Sequence, residues 1–383
     1  MNTTLVPAES TLQEAVGPLG LRTPSAPSVV VDAFAFAQAL KTVRRAIAPR
    51  SALPALQGVR LVADRNGVHL TGTDLELTIT AGLDAEVVRR GAVLIPPAPV
   101  ADLLPTRKAT KGETLTLSID VEADEVTVSV GARRRVLRTL PLDEYPRLAS
   151  PEGELIAIDT ELIASVLPAV SPDDARPILT AVAIGGGHIV ATDSYRLHFT
   201  EGPDIPIVLL PKAAAAEVVR AGGTPLAMLA GRDLVFEWVD RRLRIVSRAI
   251  EGEFPNWPGL VPDVGAATTT FELDDAAPVI EACVASGRFG GEAKNTPVRL
   301  TAGEGGDIEF TTHRQDVGTD TSTVPGRAVG DKTLTVGFNP KYLADLVRDF
   351  PGPLRLECDG PLRPAVMRGE RGTTRLIMPV RTL

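Results

Sequence analysis

The sequence contains few cysteines, few aromatic residues and no excess of basic charge. Among 383 residues there are two cysteines, four histidines and only 4% aromatic residues. Cys283 and Cys358 lie far apart without a Cys or His partner at zinc spacing, which argues against a disulfide framework or a zinc site and predicts buried, reduced thiols. The formal net charge of −8 excludes a globally basic nucleic-acid binder, so any anion-binding surface has to be local.

Long apolar runs are also missing. No segment approaches the roughly 18 apolar residues that span a bilayer, and the first residues lack a basic segment followed by an apolar stretch. We therefore expect no membrane partner and a cytoplasmic location. The overall proportions, 44% hydrophobic and 23% charged, are those of globular domains. Residues 1–27, rich in Thr, Pro, Ser and Gly, predict a flexible N-terminal extension.

One arrangement of secondary structure occurs three times along the chain. Asp32 is a good helix N-cap, and the residues after it, including Phe36 and Leu40, recur on one helical stripe. The same pattern follows Asp159 and Asp275. Each of these helices is followed by a hairpin that turns on glycine, at residues 66–67, 185–187 and 303–306. The returning strands end in related dipeptides, Thr73-Asp74, Thr192-Asp193 and Thr312-His313.

A second helix and further alternating strands complete each unit. These helices are predicted near residues 100–104, 213–220 and 342–347, each after a short apolar strand. The period is roughly 110 to 125 residues, which is the size of a domain rather than of a solenoid repeat. The sequence therefore predicts an α+β fold of three similar domains, at residues 28–150, 151–265 and 266–383.

Groups that could carry catalysis do not converge in any recognisable motif. The glycine cluster at residues 185–187 joins two strands and lacks the Lys-Ser/Thr of a phosphate loop. Neither an i,i+4 pair nor a His-x-His arrangement occurs, so we expect the histidines to be strand or loop residues with satisfied hydrogen bonds rather than ligands: His69, His188, His198 and His313. The sequence predicts a binding or scaffold protein with no enzymatic activity, cofactor or metal.

Basic residues recur on the predicted helices. They are Lys41, Arg44, Arg45 and Arg50 in the first unit, followed by Arg107, Lys108 and Lys111, then Lys212 and Arg220, and finally Lys341 and Arg348. If the helices faced a common interior, an acidic protein would carry a positive lining suited to sequence-independent contact with phosphates. The alternative is that these residues complement the dipole at helix C-termini.

Several segments resemble one family, the bacterial sliding clamp, which is the beta subunit of DNA polymerase III holoenzyme. The resemblance extends from about Val29 to Leu383. It is carried by Leu53-Pro54 to Gly58 with Thr71-Gly72-Thr73-Asp74-Leu75-Glu76, Thr192-Asp193-Ser194-Tyr195-Arg196-Leu197, Glu253-Phe254-Pro255-Asn256, Gly337-Phe338-Asn339-Pro340-Lys341-Tyr342-Leu343 and Met378-Pro379-Val380-Arg381.

The resemblance implies a processivity factor that encircles duplex DNA and tethers the replicative polymerase. Two chains would form a head-to-tail ring, a homodimer of six domains with helices inside and sheets outside. Its partners would be duplex DNA, the DNA polymerase III catalytic subunit, an ATP-driven clamp loader and other proteins with clamp-binding motifs. Base readout is not expected, and we predict contact with DNA phosphates by Arg45, Arg50, Lys212 and Lys341.

The resemblance also implies a mostly apolar partner-peptide cleft between the second and third domains. Its expected residues are Leu179, Thr192, Tyr195, Arg196, Leu197, Pro255, Leu260, Asn339, Tyr342, Leu362, Pro364, Leu376, Met378, Pro379, Val380 and Arg381. Some of the leucines could instead belong only to the domain core. Expected contacts across the dimer interface are Val136, Leu137, Leu140 and Val284.

Two other functions remain open from the sequence. One is a clamp paralogue that serves DNA repair or gives resistance to a clamp-binding antibiotic. The other, from a different class, is a hydrolase with an unrecognised site, against which the absence of any nucleophile-base spacing argues.

Overall fold

The computed structural model describes residues 26–107, 116–122, 124–148, 155–230, 232–291, 296–303 and 305–381. The chain forms two compact units. Unit 1 comprises Met1–Asp159 and Gly223–Ala249, and unit 2 comprises Thr160–Gly222 and Ile250–Leu383. The predicted N-terminal extension lies almost entirely outside the described residues, and the three predicted domain boundaries stay a prediction.

Unit 1 contains two antiparallel sheets. Numbered along the whole chain, its elements are β1 (Ser28–Asp32), α1 (Ala33–Val43), β2 (Val59–Asp64), β3 (Gly67–Thr73), β4 (Leu77–Leu83), β5 (Ala85–Arg89), β6 (Gly91–Ile95), α2 (Pro97–Ala101), β7 (Thr116–Glu122), β8 (Glu125–Val130), β9 (Arg133–Arg138), β10 (Ile156–Ala157), β15 (Leu226–Ala230), β16 (Asp233–Trp238) and β17 (Leu243–Arg248). Two short 3-10 helices, Arg44–Ala46 and Pro54–Gln57, follow α1. The first sheet has five strands in the order β5-β1-β7-β8-β9, and the second has eight in the order β10-β15-β16-β17-β4-β3-β2-β6.

Unit 2 is built in the same way from a nine-stranded and a four-stranded antiparallel sheet. Its elements are α3 (Thr160–Val166), β11 (Ala181–Gly185), β12 (His188–Thr192), β13 (Arg196–Glu201), β14 (Val208–Pro211), α4 (Lys212–Ala221), β18 (Thr269–Leu273), α5 (Ala276–Gly290), β19 (Val298–Ala302), β20 (Ile308–Arg314), β21 (Gly318–Val324), β22 (Gly326–Gly330), β23 (Val336–Phe338), α6 (Pro340–Val347), β24 (Leu354–Cys358), β25 (Ala365–Arg368) and β26 (Thr374–Ile377). The described residues also form 3-10 helices at Leu167–Ala169, Pro177–Thr180 and Pro258–Leu260. The strand orders of the two sheets are β14-β11-β12-β13-β26-β25-β24-β18-β22 and β21-β20-β19-β23.

The element order confirms the predicted α+β fold with a threefold repeat: a strand, a helix, several strands, a second helix and further strands. Local capping explains where the first helices begin. The Asp32 carboxylate accepts a hydrogen bond from the amide of Ala35 at 2.7 Å, and Asp275 accepts one from Ala277 at 3.1 Å. Helix α1 lies so close to β3 that a Cβ at Gly72 would be 2.3 Å from the carbonyl oxygen of Val43, which explains the need for glycine there.

The sequence-based description of each unit was incomplete. It missed β4, β5, β13, β21 and β22, and it wrongly ended the third returning strand at Thr312-His313. Strand β20 continues through both residues and pairs with β21, whose seven residues are mostly glycine, threonine and other polar residues. Such a strand has no apolar run and is specified by its neighbours rather than by its own pattern.

Both cysteines are free and buried, as predicted, and burial raises the pKa of each thiol to about 12. The two buried histidines have long or weak polar contacts: His69 Nε2 lies 3.7 Å from Asp64 Oδ1, and His198 has the backbone of Ser165 as its partner, so the expectation of satisfied hydrogen bonds stays a prediction for both. Burial lowers the pKa of both imidazoles, most strongly at His198, which also faces Arg375 and Arg196. Among the described residues, no helix is long and apolar enough to cross a membrane.

Candidate partner-binding groove and basic helix residues

A tight turn after β12 starts the candidate site in unit 2. The hydroxyl of Thr192 donates to the carbonyl of Arg196 at 2.7 Å, and Asp193 Oδ1 accepts from the amides of Tyr195 and Arg196 at 2.9 and 3.0 Å. Ser194 adopts a φ of 77°, in the left-handed region, within this turn. These side-chain to backbone bonds fix the turn and direct Tyr195 toward solvent, where 57% of it is exposed.

Arg196 is the buried anchor of this site. Its Nε lies 3.0 Å from Asp193 Oδ2 and its Nη1 lies 2.7 Å from Asp345 Oδ2, while only 6% of the side chain is exposed. Its guanidinium carbon is 4.3 Å from the ring centroid of Tyr342. Two carboxylates and an aromatic face therefore offset the cost of burying this cation, and its side chain acts in the site by positioning its neighbours.

Two tyrosines and a helix cap lie beside this anchor. The rings of Tyr195 and Tyr342 are stacked with centroids 6.4 Å apart. Asn339 caps α6 by accepting hydrogen bonds from the amides of Lys341 and Tyr342 at 3.0 and 3.3 Å. Burial, reinforced by the Asp193 carboxylate, raises the pKa of Tyr342, so its phenol stays neutral and can donate a hydrogen bond.

The last described residues are held in place by backbone hydrogen bonds. The amide of Met378 donates to the carbonyl of Tyr195 at 2.8 Å, and the amide of Val380 donates to the carbonyl of Gly337 at 2.8 Å. Met378 remains 37% exposed, and Pro379 between them is partly buried. The chain end therefore joins the Tyr195 turn to the strand before α6 and presents a flexible, apolar side chain beside it.

The predicted leucines of the cleft lie in the core. Leu197 and Leu376 occupy directly opposite positions on β13 and β26, and they are 2% and 3% exposed. Leu179 is buried as well, at 8%. Partly buried aromatic residues pack against the cluster that contains Leu197 and Leu376, with the rings of Phe199 and Trp257 4.6 Å apart. These leucines thus support the groove from below.

Other predicted groove residues are exposed. Leu260 and Leu362 expose 57% and 59% of their surface, and Pro255 and Arg381 are also exposed. Leu260 and Pro364 line one cavity of about 460 Å³. Large apolar side chains that are exposed close to one another, as Leu260 and Leu362 are, are typical of an interaction surface. Direct contacts connect six of the predicted groove residues into one network, namely Thr192, Tyr195, Arg196, Asn339, Tyr342 and Met378.

Sequence reasoning missed three residues that shape this site. Asp193 belongs to the Thr192-Asp193 dipeptide at the end of the returning strand, yet the sequence did not show that its side chain accepts the hydrogen bonds that fix the turn. Asp345 is 149 positions away from Arg196, and no spacing rule connects the two. Trp257 is one of two tryptophans in the chain and follows the Phe254-Pro255 pair, which was the available signal.

The basic residues predicted to contact DNA are all exposed: Arg45, Arg50, Lys212 and Lys341. Lys212 is the first residue of α4, and Lys341 is the second residue of α6. Dipole complementation does not explain these two lysines, because a helix N-terminus carries partial positive charge and disfavours a cation. By contrast, Arg220 lies in the last turn of α4 and pairs with Glu217 at 3.4 Å. Lys108 and Lys111 lie outside the described residues.

The residues predicted at a dimer interface have different surroundings. Strand β9 is at the free edge of the five-stranded sheet, and Val136 on it is 49% exposed. Leu137 is partly buried on the same strand. Leu140 lies beyond β9, where its amide donates to the carbonyl of Leu94 at 2.9 Å and its side chain packs within unit 1. Val284, on α5, is 43% exposed rather than part of the helix's buried stripe.

Comparison with known proteins shows which family this chain resembles. Residues 28–149 match the family described as the DNA polymerase III beta subunit, N-terminal domain. The chain is 28% identical to the beta sliding clamp of Streptomyces coelicolor over 386 residues, covering 92% of this chain and 98% of that clamp. The resemblance to the bacterial sliding clamps is confirmed. The beta sliding clamp of Bacillus subtilis is 25% identical and covers 90% of this chain and 97% of its own length.

Solved sliding-clamp structures share the fold. The Bacillus subtilis sliding clamp superposes with a TM-score of 0.82 and 23% identity, covering 94% of this chain and all of that one. The Pseudomonas aeruginosa sliding clamp bound to griselimycin gives a TM-score of 0.82 at 21% identity, with the same coverage. The sliding-clamp fold therefore extends over both units of this chain and includes the candidate groove.

Proposed function

We propose that this chain is a DNA sliding clamp, a processivity factor that holds the replicative polymerase on duplex DNA. The observation that carries the proposal is the similarity to beta sliding clamps in both sequence and fold across more than nine-tenths of the chain. The proposed location is cytoplasmic, and the proposed role is mechanical: the protein binds and tethers without catalysing a reaction.

The proposed DNA contacts are electrostatic and independent of sequence. Arg45 is on the 3-10 helix after α1, Arg50 is in the turn that follows, and Lys212 and Lys341 are in the first turns of α4 and α6. Cations at these positions neutralise backbone phosphates whatever the bases are. Lys212 and Lys341 support this role most strongly, because their placement at helix N-termini works against helix stability and is explained by an anionic partner.

The proposed assembly is a head-to-tail homodimer. Strand β9 is the last strand of its sheet and pairs on its other side with no strand of the described residues, and an unpaired edge is a template for strand addition. Val136 on that edge and Val284 on α5 are exposed apolar residues of the two different surfaces that such a heterologous contact would join. Leu137 and Leu140 would support the β9 side of the interface.

The proposed partner site is the groove of unit 2. A turn fixed by Asp193, a buried cation at Arg196 and a chain end tied to Tyr195 form a rigid support, whereas Met378 provides an adaptable apolar contact. Such a groove suits a short extended peptide with apolar anchors. The peptides would come from the DNA polymerase III catalytic subunit, the clamp loader and other proteins with clamp-binding motifs.

Topology gives the direct test of a clamp. We expect the mass of a dimer in sedimentation at micromolar protein concentration. After loading by the clamp loader of the same organism, the protein should be retained on nicked circular DNA and released when that DNA is made linear. A monomeric protein with the fold intact, or equal retention on circular and linear DNA, would contradict the proposal.

Charge reversal tests the proposed DNA contacts. We expect Lys212→Glu and Lys341→Glu each to weaken equilibrium binding to duplex DNA for every sequence tested. Each change should also make the plot of log affinity against log salt concentration less steep, with the magnitude of its slope reduced by about 1, because one phosphate contact is lost. The matched control is Lys332→Glu, which makes the same charge change at an exposed turn before β23. An equal effect of all three variants would indicate net charge alone.

A further inference from the structure

A second groove lies within unit 1, and its lining includes none of the residues predicted to contact DNA, a second chain or a partner peptide. It is a cavity of about 270 Å³ between the turn after β3, the paired strands β4 and β17, and the segment 146–148. Its lining is Thr73, Leu75, Glu76, Thr78, Thr80, Pro146, Arg147, Leu148, Asp233, Arg244, Val246 and Arg248. Threonines, arginines and a few apolar side chains therefore share one surface.

The strand register explains why these side chains meet. Thr80 is opposite Arg244 and Thr78 is opposite Val246, so alternate residues of β4 and β17 face the same side of the sheet. The hydroxyls of Thr73 and Thr78 are 2.8 Å apart on that side. The floor of the groove is thus built on paired strands, which hold side chains more firmly than loops do.

Arg244 is the unusual member of this lining. Only 3% of it is exposed, yet its Nε and Nη1 atoms have no hydrogen-bond partner among the described residues. Burial lowers the pKa of Arg244, and the carboxylate of Glu237, opposite it on β16, counteracts part of that shift. A buried guanidinium with two unused donors is costly, and an anionic acceptor in the groove would satisfy them.

The repeat places this groove at the position that the candidate partner groove occupies in unit 2. The Thr73-Asp74 turn has the bonds of the Thr192-Asp193 turn, with Asp74 Oδ1 accepting from two following amides at 3.0 and 2.7 Å. Leu75 and Ser194 share a left-handed φ, of 81° and 77°.

The strand pairing corresponds as well. Leu77 is opposite Ser247 just as Arg196 is opposite Ile377. Counting from these pairs, Thr78 and Val246 correspond to Leu197 and Leu376. The groove of unit 1 is therefore a more polar counterpart of the groove of unit 2, with the buried Arg244 as its distinguishing residue.

We propose that the unit 1 groove binds an acidic side chain of an extended peptide, with the carboxylate on Arg244. Leu75, Val246 and Leu148 would contact the apolar residues on either side of it. The volume accommodates one or two side chains rather than a larger ligand. Glu76 and Asp233 in the lining disfavour a doubly charged phosphate more than a single carboxylate. The proposal of this site does not depend on the proposed clamp function, and it would stand if that function were disproved.

Two blocked synthetic peptides test the proposal on the full chain, Thr-Val-Glu-Val-Thr and its Thr-Val-Gln-Val-Thr counterpart, with binding followed by fluorescence anisotropy. We expect the Glu peptide to bind about tenfold more tightly than the Gln peptide, because a charge-assisted hydrogen bond is lost in the latter. Arg244→Gln should remove this preference. Val246→Glu, which retains Arg244 but places a negative charge in the groove, should remove it too.

Two controls locate the site and its chemistry. Deleting residues 378–383 alters the groove of unit 2 and should leave the preference for the Glu peptide unchanged. In a Trp257→Phe background, fluorescence of Trp238, on β16, reports whether unit 1 remains folded in each variant. Equal affinity for the two peptides, a preference that depends on residues 378–383 rather than on Arg244, or full displacement by equimolar inorganic phosphate would each overturn the proposal.

Discussion

Replacing Arg196 with alanine is expected to lower the free energy of unfolding of unit 2 by about 3–5 kcal/mol, because a buried ion pair loses one partner. Asp193 is 3% exposed and would keep its charge without the guanidinium that now lies 3.0 Å away. Asp345 would lose its contact with Arg196, and Tyr342 would lose the cation over its ring. The cost falls on the turn that carries Tyr195, so we also expect weaker binding of partner peptides.

Each unit contains one tryptophan, which makes this measurement selective. Trp257 belongs to unit 2 and Trp238 to unit 1. In a Trp238→Phe background, urea unfolding followed by fluorescence reports on unit 2. The matched control is Arg363→Ala, which breaks an exposed ion pair with Asp359 at 2.6 Å and is expected to cost about 0–1 kcal/mol. Equal, small losses for both variants would show that Arg196 is not an anchor.

Removal of residues 378–383 is expected to weaken binding of a peptide from the polymerase C-terminus by at least about tenfold, or about 1.4 kcal/mol. The deletion removes Met378, the flexible contact of the groove, together with the hydrogen bonds to Tyr195 and Gly337. Strand β26 ends at Ile377, and residues 378–381 belong to no strand, so the sheets keep their pairing. Calorimetric titration of the peptide into the full and truncated chains gives the comparison.

A shorter deletion, of residues 382–383 alone, serves as the control and should retain the affinity of the full chain. Sedimentation mass and the melting temperature should be unchanged in both truncated proteins. Retained peptide affinity after the longer deletion would contradict the assignment of the chain end to the groove. Lost affinity accompanied by a lower melting temperature would instead assign residues 378–381 to the stability of unit 2.

Much of the fold could be predicted because its signals are local. The caps at Asp32 and Asp275 and the glycine turns at residues 66–67 and 185–187 all follow from a few adjacent residues. The threefold repeat followed from their recurrence. Polar strands such as β21 gave no such signal, since their pairing depends on neighbours that the sequence does not reveal.

The candidate site was predictable only in part. The segment around Arg196 and the chain end were identified through the resemblance to sliding clamps. The partner of Arg196 on α6, Asp345, comes from a distant part of the chain, and only tertiary packing brings them together. Leu197 and Leu376 are buried, and their place in the cleft stays a prediction, because apolar residues on a strand look the same in a sequence whether they line a groove or fill a core.

The pairing of β4 with β17 has a consequence for synthesis of the chain. Strand β17 leaves the ribosome only after all of residues 160–222, which belong to unit 2, have been made. Until then β4 is an open sheet edge, able to pair with a neighbouring nascent chain. Limited proteolysis of two truncated chains, ending at residue 222 and at residue 249, would test this. We expect β4 to be protected from cleavage only in the longer chain, which contains β17. The eight-stranded sheet of unit 1 is therefore completed only after residues 160–222 of unit 2 have been translated.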